Sequence, residues 1–217
     1  MPTQDHPRGV FVTFEGGEGS GKSTQIKLLA ERLARDGRDV VVTREPGGSP
    51  GAEILRHVIL AGVGKLLGAE AETLLFAAAR DDHVRAVIAP ALARGQWVLC
   101  DRFFDSTRAY QGRVGGVDRA LMESLQRVTI GDLKPDVTFI LDVPVEVGMR
   151  RATARRGAAA PDRFEAETIA FHQALRDAYQ AIAAAEPARC VLIDADRDAD
   201  TVAAAIWSAL PARLTSP

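Results

Sequence analysis

A chain of 217 residues, 47% of them hydrophobic, is long enough to bury one continuous core. Its net charge of −2 excludes a global basic footprint for nucleic acid or for an anionic membrane surface. The opening "MPTQDHPRG" has no apolar run of the kind that directs secretion, and no later apolar stretch reaches bilayer length. A soluble, cytoplasmic protein with no membrane partner is therefore expected. Cys100 and Cys190 are far apart and each adjoins an apolar run, so they read as reduced core thiols rather than a disulfide.

Along the chain, apolar β-prone runs alternate with helical stretches. Strands are predicted over 9–14, 39–43, 96–100, 136–141 and 189–193, each bounded by Gly, Asp or Pro. The runs are continuous rather than alternating, which suits a parallel sheet covered on both faces. Helices are predicted near 22–36, 51–61, 69–94, 118–130, 145–156, 164–185 and 198–209. This βαβα order predicts an α/β fold, a three-layer α/β/α sandwich around a five-stranded parallel sheet. No repeat or linker divides the chain, so residues 1–217 are expected to form a single domain, with 1–8 as a flexible tail. Two stretches, 44–51 and 155–163, read as loops. In an open α/β sheet ligands bind at the carboxyl ends of the strands, and the informative residues cluster there.

The segment following the first strand, Gly16-Gly17-Glu18-Gly19-Ser20-Gly21-Lys22-Ser23, matches GxxxxGK[ST] in full, and a helix follows it. Glycines let backbone N–H groups wrap phosphates, and the helix N-terminus adds partial positive charge. Lys22 is placed to reach the β/γ oxygens, Ser23 to ligate Mg²⁺, and Thr24 to complete the cradle. Asp101, just after the third strand, is the candidate second Mg²⁺ carboxylate, and Asp142, which also ends a strand, competes weakly for that role. The alternative for Asp101 is a cap on the next segment.

A kinase for a phosphorylated acceptor needs a second set of cations. Arg44 and Arg102 follow strands, and Arg80 interrupts an apolar helix stripe that runs from Phe76 to Val84 and Ile88. Phe76 and Arg80 are four apart and share a face. Phe76 could stack on a base beside Arg80, but spacing alone favours core packing for it. Ser106, Tyr110 and Gln111 can read base edges or merely cap a turn. The segment 148–164 gathers Arg150, Arg151, Arg155, Arg156 and Arg163 around a Gly/Ala/Pro centre. It reads as a closing lid at about 150–163 in preference to a solvated helix end or a nucleic-acid patch.

Together "FEGGEGSGKSTQ", "TREPGGS", "LLFAAAR", "DRFFDSTRAYQG", "PDVTFILDVPVEVGMRR" and "DRFE" resemble the thymidylate kinase family of P-loop nucleoside monophosphate kinases. The resemblance implies transfer of the ATP γ-phosphoryl to dTMP, with Mg²⁺ as cofactor, in dTTP biosynthesis. Position by position it implies that Glu18 lies near the acceptor 3′-hydroxyl and that Arg44 and Arg102 hold the dTMP phosphate. It further implies that Phe76 stacks on thymine, Arg80 bonds O4, Ser106 and Gln111 contact the base, and Tyr110 lines the sugar. The P-loop has no arginine, as in the bacterial branch, so catalytic charge falls to the lid. There Thr153 stands where the family's more usual lid has an arginine, leaving Arg155, ahead of Arg156, to join Lys22 and Arg102 as candidate catalytic cations. Adenine is expected near Arg150 and the "DADRD" loop. The family is commonly homodimeric, so a homodimer is expected.

Overall fold

The computed structural model describes residues 8–157, 163–211 and 214. The expected flexible tail, apart from Arg8, and the expected lid centre at 158–162 lie outside the described residues. Five strands form one parallel sheet in the order β2-β3-β1-β4-β5, with β1 Phe11–Glu15, β2 Val40–Arg44, β3 Trp97–Asp101, β4 Val137–Asp142 and β5 Cys190–Asp194. The sheet matches the prediction, with every strand displaced one or two residues towards its carboxyl end. In the first strand the displacement moves Glu15 out of the expected loop and into the ladder, opposite Ile140.

Apolar side chains on adjacent positions point to opposite faces, and both faces are covered. Val12, Phe14, Leu99, Phe139 and Leu141 pack against Ile26, Leu29 and Leu33 of α1 (Lys22–Arg35) and Val202 and Ile206 of the C-terminal helix, Ala199–Ala209. Phe11, Val98 and Cys100 face the other way, against Val84, Ile88 and Leu92. Burial on both sides is why the strands read as unbroken apolar runs. Cys100 and Cys190 are both free and buried, as expected.

Helix α2 spans Pro50–Leu60, α3 is a short Val63–Leu66 turn, and α4 spans Ala69–His83. The predicted 69–94 helix is one rod in three parts. After α4 it widens into a π-helical segment, Val84–Ile88, and resumes as α5, Ala89–Ala93, with Pro90 tolerated in the first turn. The segment after β3, where no helix is predicted, is helical: α6, Phe104–Thr107, passes into a π-helical Arg108–Val114. Helices α7 (Arg119–Ile130) and α8 (Val145–Arg156) agree with their predictions. The helix expected from 164 begins later, as α9, Ile169–Ala185, because the Thr168 hydroxyl accepts the Phe171 N–H and fixes the start there. The remaining helix, Ala199–Ala209, is α10, capped by Asp198.

Candidate active site

The P-loop turns from β1 into α1 through Gly16, Gly19 and Gly21, whose φ values of 133°, 65° and 92° lie where side chains are strained. Gly19 is also forced by proximity: a Cβ there would stand 1.9 Å from the Gly148 carbonyl oxygen of α8. The loop and α8 thus touch backbone to backbone, which brings the helix carrying Arg155 against the phosphate cradle. Lys22 is buried, and its Nζ donates to the carbonyls of Gly16 (3.1 Å) and Gly17 (2.9 Å). Burial first, and then Arg102, hold its ammonium below the ordinary lysine range. The Ser23 hydroxyl donates to Asp101 Oδ2 at 3.1 Å. Asp142, the competitor, is instead held by both ends of the Arg176 guanidinium at 2.7 and 2.8 Å. Among the described residues no three His, Cys, Asp or Glu side chains converge on one point. A hydroxyl and a single carboxylate are hard oxygen donors that suit a magnesium ion held largely by nucleotide phosphates.

A cavity of about 420 Å³ opens in front of this loop. Lys22, Ser23, Thr24, Asp101 and Glu18 line one end, and Phe76, Arg80, Tyr110 and Gln111 line the other. Arg44, Arg102, Ser106 and Arg155 also line it. Gly16 and Gly17 turn towards a small adjacent recess beside α9. Arg156 and Arg150 do not line the cavity. Arg150 is exposed on α8 beside Arg151, which donates to the Ala195 carbonyl of the "DADRD" loop at 2.8 Å.

Arg102 joins the two ends. It sits at φ 69°, a non-glycine positive φ, immediately after β3. Its Nη2 meets Glu18 Oε1 at 2.7 Å, and Nη1 reaches the Gly16 carbonyl, Ser106 Oγ and the Tyr179 hydroxyl at 3.1 to 3.3 Å. Burial alone would push the Glu18 carboxyl up, but Arg102, then Lys22 and Arg155, outweigh it and hold it below the usual carboxylate range. Tyr110 lies edge-on to Phe164 and beneath Arg102, with its hydroxyl 3.5 Å from Glu18.

The sequence shows Arg80 in an apolar stripe without showing its partner. That partner is Glu45, whose Oε2 accepts Arg80 Nε at 2.7 Å, while Thr107 accepts from Nη2 at 3.0 Å. Both members are nearly buried, so the guanidinium is fixed in place. Phe76 is half-buried on the same helix face and lines the cavity. Arg44 is half exposed and paired with Glu53 at 2.8 Å. Arg155 and Arg156 share one carboxylate, Glu165, at 3.0 and 2.7 Å.

Residues 14–206 match the family model described as thymidylate kinase. The chain belongs to the thymidylate kinase family. It is 70% identical over 96% of its length to a thymidylate kinase of Nitrobacter winogradskyi, 91% of which is covered. It is 71% identical over 95% of its length to one from a Bradyrhizobium species, with 92% covered. The crystal structure of thymidylate kinase from Ehrlichia chaffeensis superimposes with a TM-score of 0.76 at 35% identity, covering 94% of this chain and all of that one. Membership in the thymidylate kinase family makes the chain a nucleotide-binding phosphotransferase with ATP as phosphate donor and small-molecule substrates. Among the described residues no helix is long and apolar enough to cross a membrane.

Four carboxylates that sequence reasoning passed over organise the site: Glu15, Glu45, Glu72 and Glu165. Glu15 is fully buried at the end of β1 and accepts from Phe103 N–H (2.8 Å), Ser106 Oγ (2.6 Å) and the Tyr179 hydroxyl (3.0 Å). It thereby holds the segment that follows Arg102. The only signal in the sequence was a charged residue closing an apolar strand. Burial, and then the charge of Asp105, push its carboxyl up to about 7, against Arg102 and the hydrogen bonds from Ser106 and Phe103.

A raised acid pKa means the folded state keeps a proton that the unfolded chain releases. The contribution to stability is complete below pH about 4.5 and is lost as pH rises towards about 7, at roughly 1.4 kcal/mol per pH unit. Between pH 5 and pH 8 the urea midpoint should therefore fall further in the native protein than in Glu15→Gln. Equal falls in the two proteins would show that Glu15 titrates normally.

Proposed function

We propose that this chain transfers the γ-phosphoryl group of ATP to dTMP, giving dTDP and ADP on the route to dTTP. The observation that carries the reading is that one cavity brings the P-loop residues Glu18 to Thr24 to face an aromatic ring, Phe76, and two fixed arginines, Arg80 and Arg102. In this reading Gly16 to Thr24 hold the donor phosphates, and dTMP enters between α4 and the helical segment after Arg102. Phe76 stacks on thymine and Arg80 donates to O4, its orientation set by Glu45. Arg44 and Arg102 hold the acceptor phosphate with bidentate forks. Glu18 faces the sugar hydroxyl, and Tyr110 beside it fills the space a ribose 2′-hydroxyl would need. Adenine lies towards Arg150 and the loop held by Arg151.

Ser23 and Asp101 would hold Mg²⁺, which when bound neutralises charge on the transferring phosphoryl group. The acceptor is an anionic phosphate, so the reaction needs no general base. Lys22 lies against the donor oxygens, Arg102 bridges loop and acceptor, and Arg155 brings a further positive charge from α8. Catalysis is then positioning and charge neutralisation in a site from which water is excluded. Residues 1–217 would act as one domain, with the 150–163 segment as the lid.

A cytoplasmic homodimer completes the reading. Leu66, Leu67, Leu74 and Val128, on or beside α3, α4 and α7, are half to nearly fully exposed and would be covered in a dimer. The reaction is tested by steady-state kinetics with dTMP, dUMP, dCMP, UMP and AMP as acceptors. The highest kcat/KM should be with dTMP, and a higher value for AMP, UMP or dCMP would overturn the assignment.

A further inference from the structure

Behind the acceptor end of the cavity, Gln111 Nε2 donates to Glu72 Oε1 at 3.2 Å, and Arg163 Nη2 donates to Glu72 Oε2 at 2.6 Å. Glu72 and Gln111 are both buried, and Arg163 is also tied to the Ile59 carbonyl at 3.2 Å. A carboxylate paired with a guanidinium accepts hydrogen bonds and donates none. Its contact with Gln111 therefore decides which way round the amide sits: the NH₂ must face Glu72, and the carbonyl oxygen is what remains for the cavity that Gln111 lines.

We infer that Glu72 is the positioning residue for base specificity. With Arg163 at its back it locks the Gln111 amide so that an acceptor, not a donor, meets the base edge. This rests on the reading that dTMP occupies the cavity with its base at Phe76 and Arg80. A thymine offers a carbonyl oxygen at O4 and, beside it, an N3–H donor. Arg80, held by Glu45 and Thr107, supplies the donor for the first. The locked Gln111 oxygen supplies the acceptor for the second. Cytosine reverses both polarities, with an amino group against Arg80 and a bare N3 against the Gln111 oxygen. A buried site with fixed polarity rejects such a base more strongly than shape alone could.

The test exploits the direction of the lock. In Glu72→Gln the introduced amide must turn its oxygen to Arg163, so its NH₂ faces Gln111 and forces that amide to reverse. A donor then opposes thymine N3–H. The ratio of kcat/KM for dTMP over dCMP should narrow by about 10- to 100-fold, mostly through loss with dTMP. The double exchange Glu72→Gln with Gln111→Glu keeps the composition and charge, puts an acceptor back at the base edge, and should restore most of the ratio. Equal losses with both nucleotides in Glu72→Gln, or no recovery in a folded double exchange, would overturn the inference. The double exchange also serves if the single variant does not fold. Gln111→Ala separates the two levels: an unchanged ratio there means that the base is not read at this position, so the placement of dTMP, and the inference with it, is wrong.

Discussion

Arg102→Ala should lower kcat/KM for dTMP by about 10³-fold or more. Among the described residues Arg102 is the one side chain that contacts the P-loop backbone, the mostly buried Glu18 carboxylate and the Ser106–Tyr179 pair behind the acceptor end. Truncation removes the fork proposed to grip the acceptor phosphate, and it leaves Glu18 mostly buried without its nearest cation. Breaking such a pair costs about 3 kcal/mol of folding stability. Because Arg102 sits at φ 69°, a glycine at this position relieves backbone strain that alanine retains. Arg102→Gly should therefore be more stable than Arg102→Ala by about 1 kcal/mol, while being no more active. Denaturant midpoints and dTMP kinetics of the two variants check both halves. Near-native kcat/KM in either would remove Arg102 from the acceptor site.

The second large effect separates the two arginines that the sequence could only rank. Both bond Glu165, but Arg155 is 62% exposed and lines the cavity, whereas Arg156 is 20% exposed and does not. An arginine that must meet a transferring phosphoryl group needs to be able to leave its resting partner. Arg155 has the lower cost of doing so, because its guanidinium is largely solvated even while paired, whereas that of Arg156 is shielded from water. Arg155→Ala should reduce kcat by about 10³-fold with little change in Tm. Arg156→Ala should reduce kcat far less and lower Tm more, since Glu165 is nearly buried and would lose its better-shielded partner. Single-turnover rates at saturating ATP and dTMP, with melting curves, distinguish them. A larger kcat loss in Arg156→Ala would reverse the assignment.

The framework was legible in the sequence because its signals are local. Continuous apolar strands, a glycine loop with its lysine, and helices with ordinary caps each carry their own pattern. The helical segment after Arg102 was missed because its sequence, "FFDSTRAYQGRV", mixes aromatic, β-branched and glycine residues with no apolar period. It is held instead by distant groups: Glu15 caps it from β1, and Arg189 grips its buried Asp105 at 2.7 and 3.0 Å. The stretch 164–168 was read as helix because its composition permits one. There Glu165 is occupied by two arginines from α8, and Thr168 starts the helix afresh.

The same division holds at the site. The arginines and aromatics were visible as residue types at strand ends or on one helix face. Their partners were not, because Glu45, Glu72 and Glu165 are ordinary carboxylates until the fold places them against Arg80, Gln111, Arg155 and Arg156. Sequence spacing put Arg80 in an apolar stripe, where it needs a partner, and only the fold, which sets Glu45 just after β2 beside Arg80 of α4, identifies it.

Phosphoryl transfer to dTMP is read most simply from the release of ADP from ATP·Mg²⁺, followed with and without dTMP. ATP alone should give negligible release, and addition of dTMP should give rapid release, stoichiometric with dTDP. ATP turnover that proceeds equally without dTMP, or that yields no dTDP, would contradict transfer to dTMP.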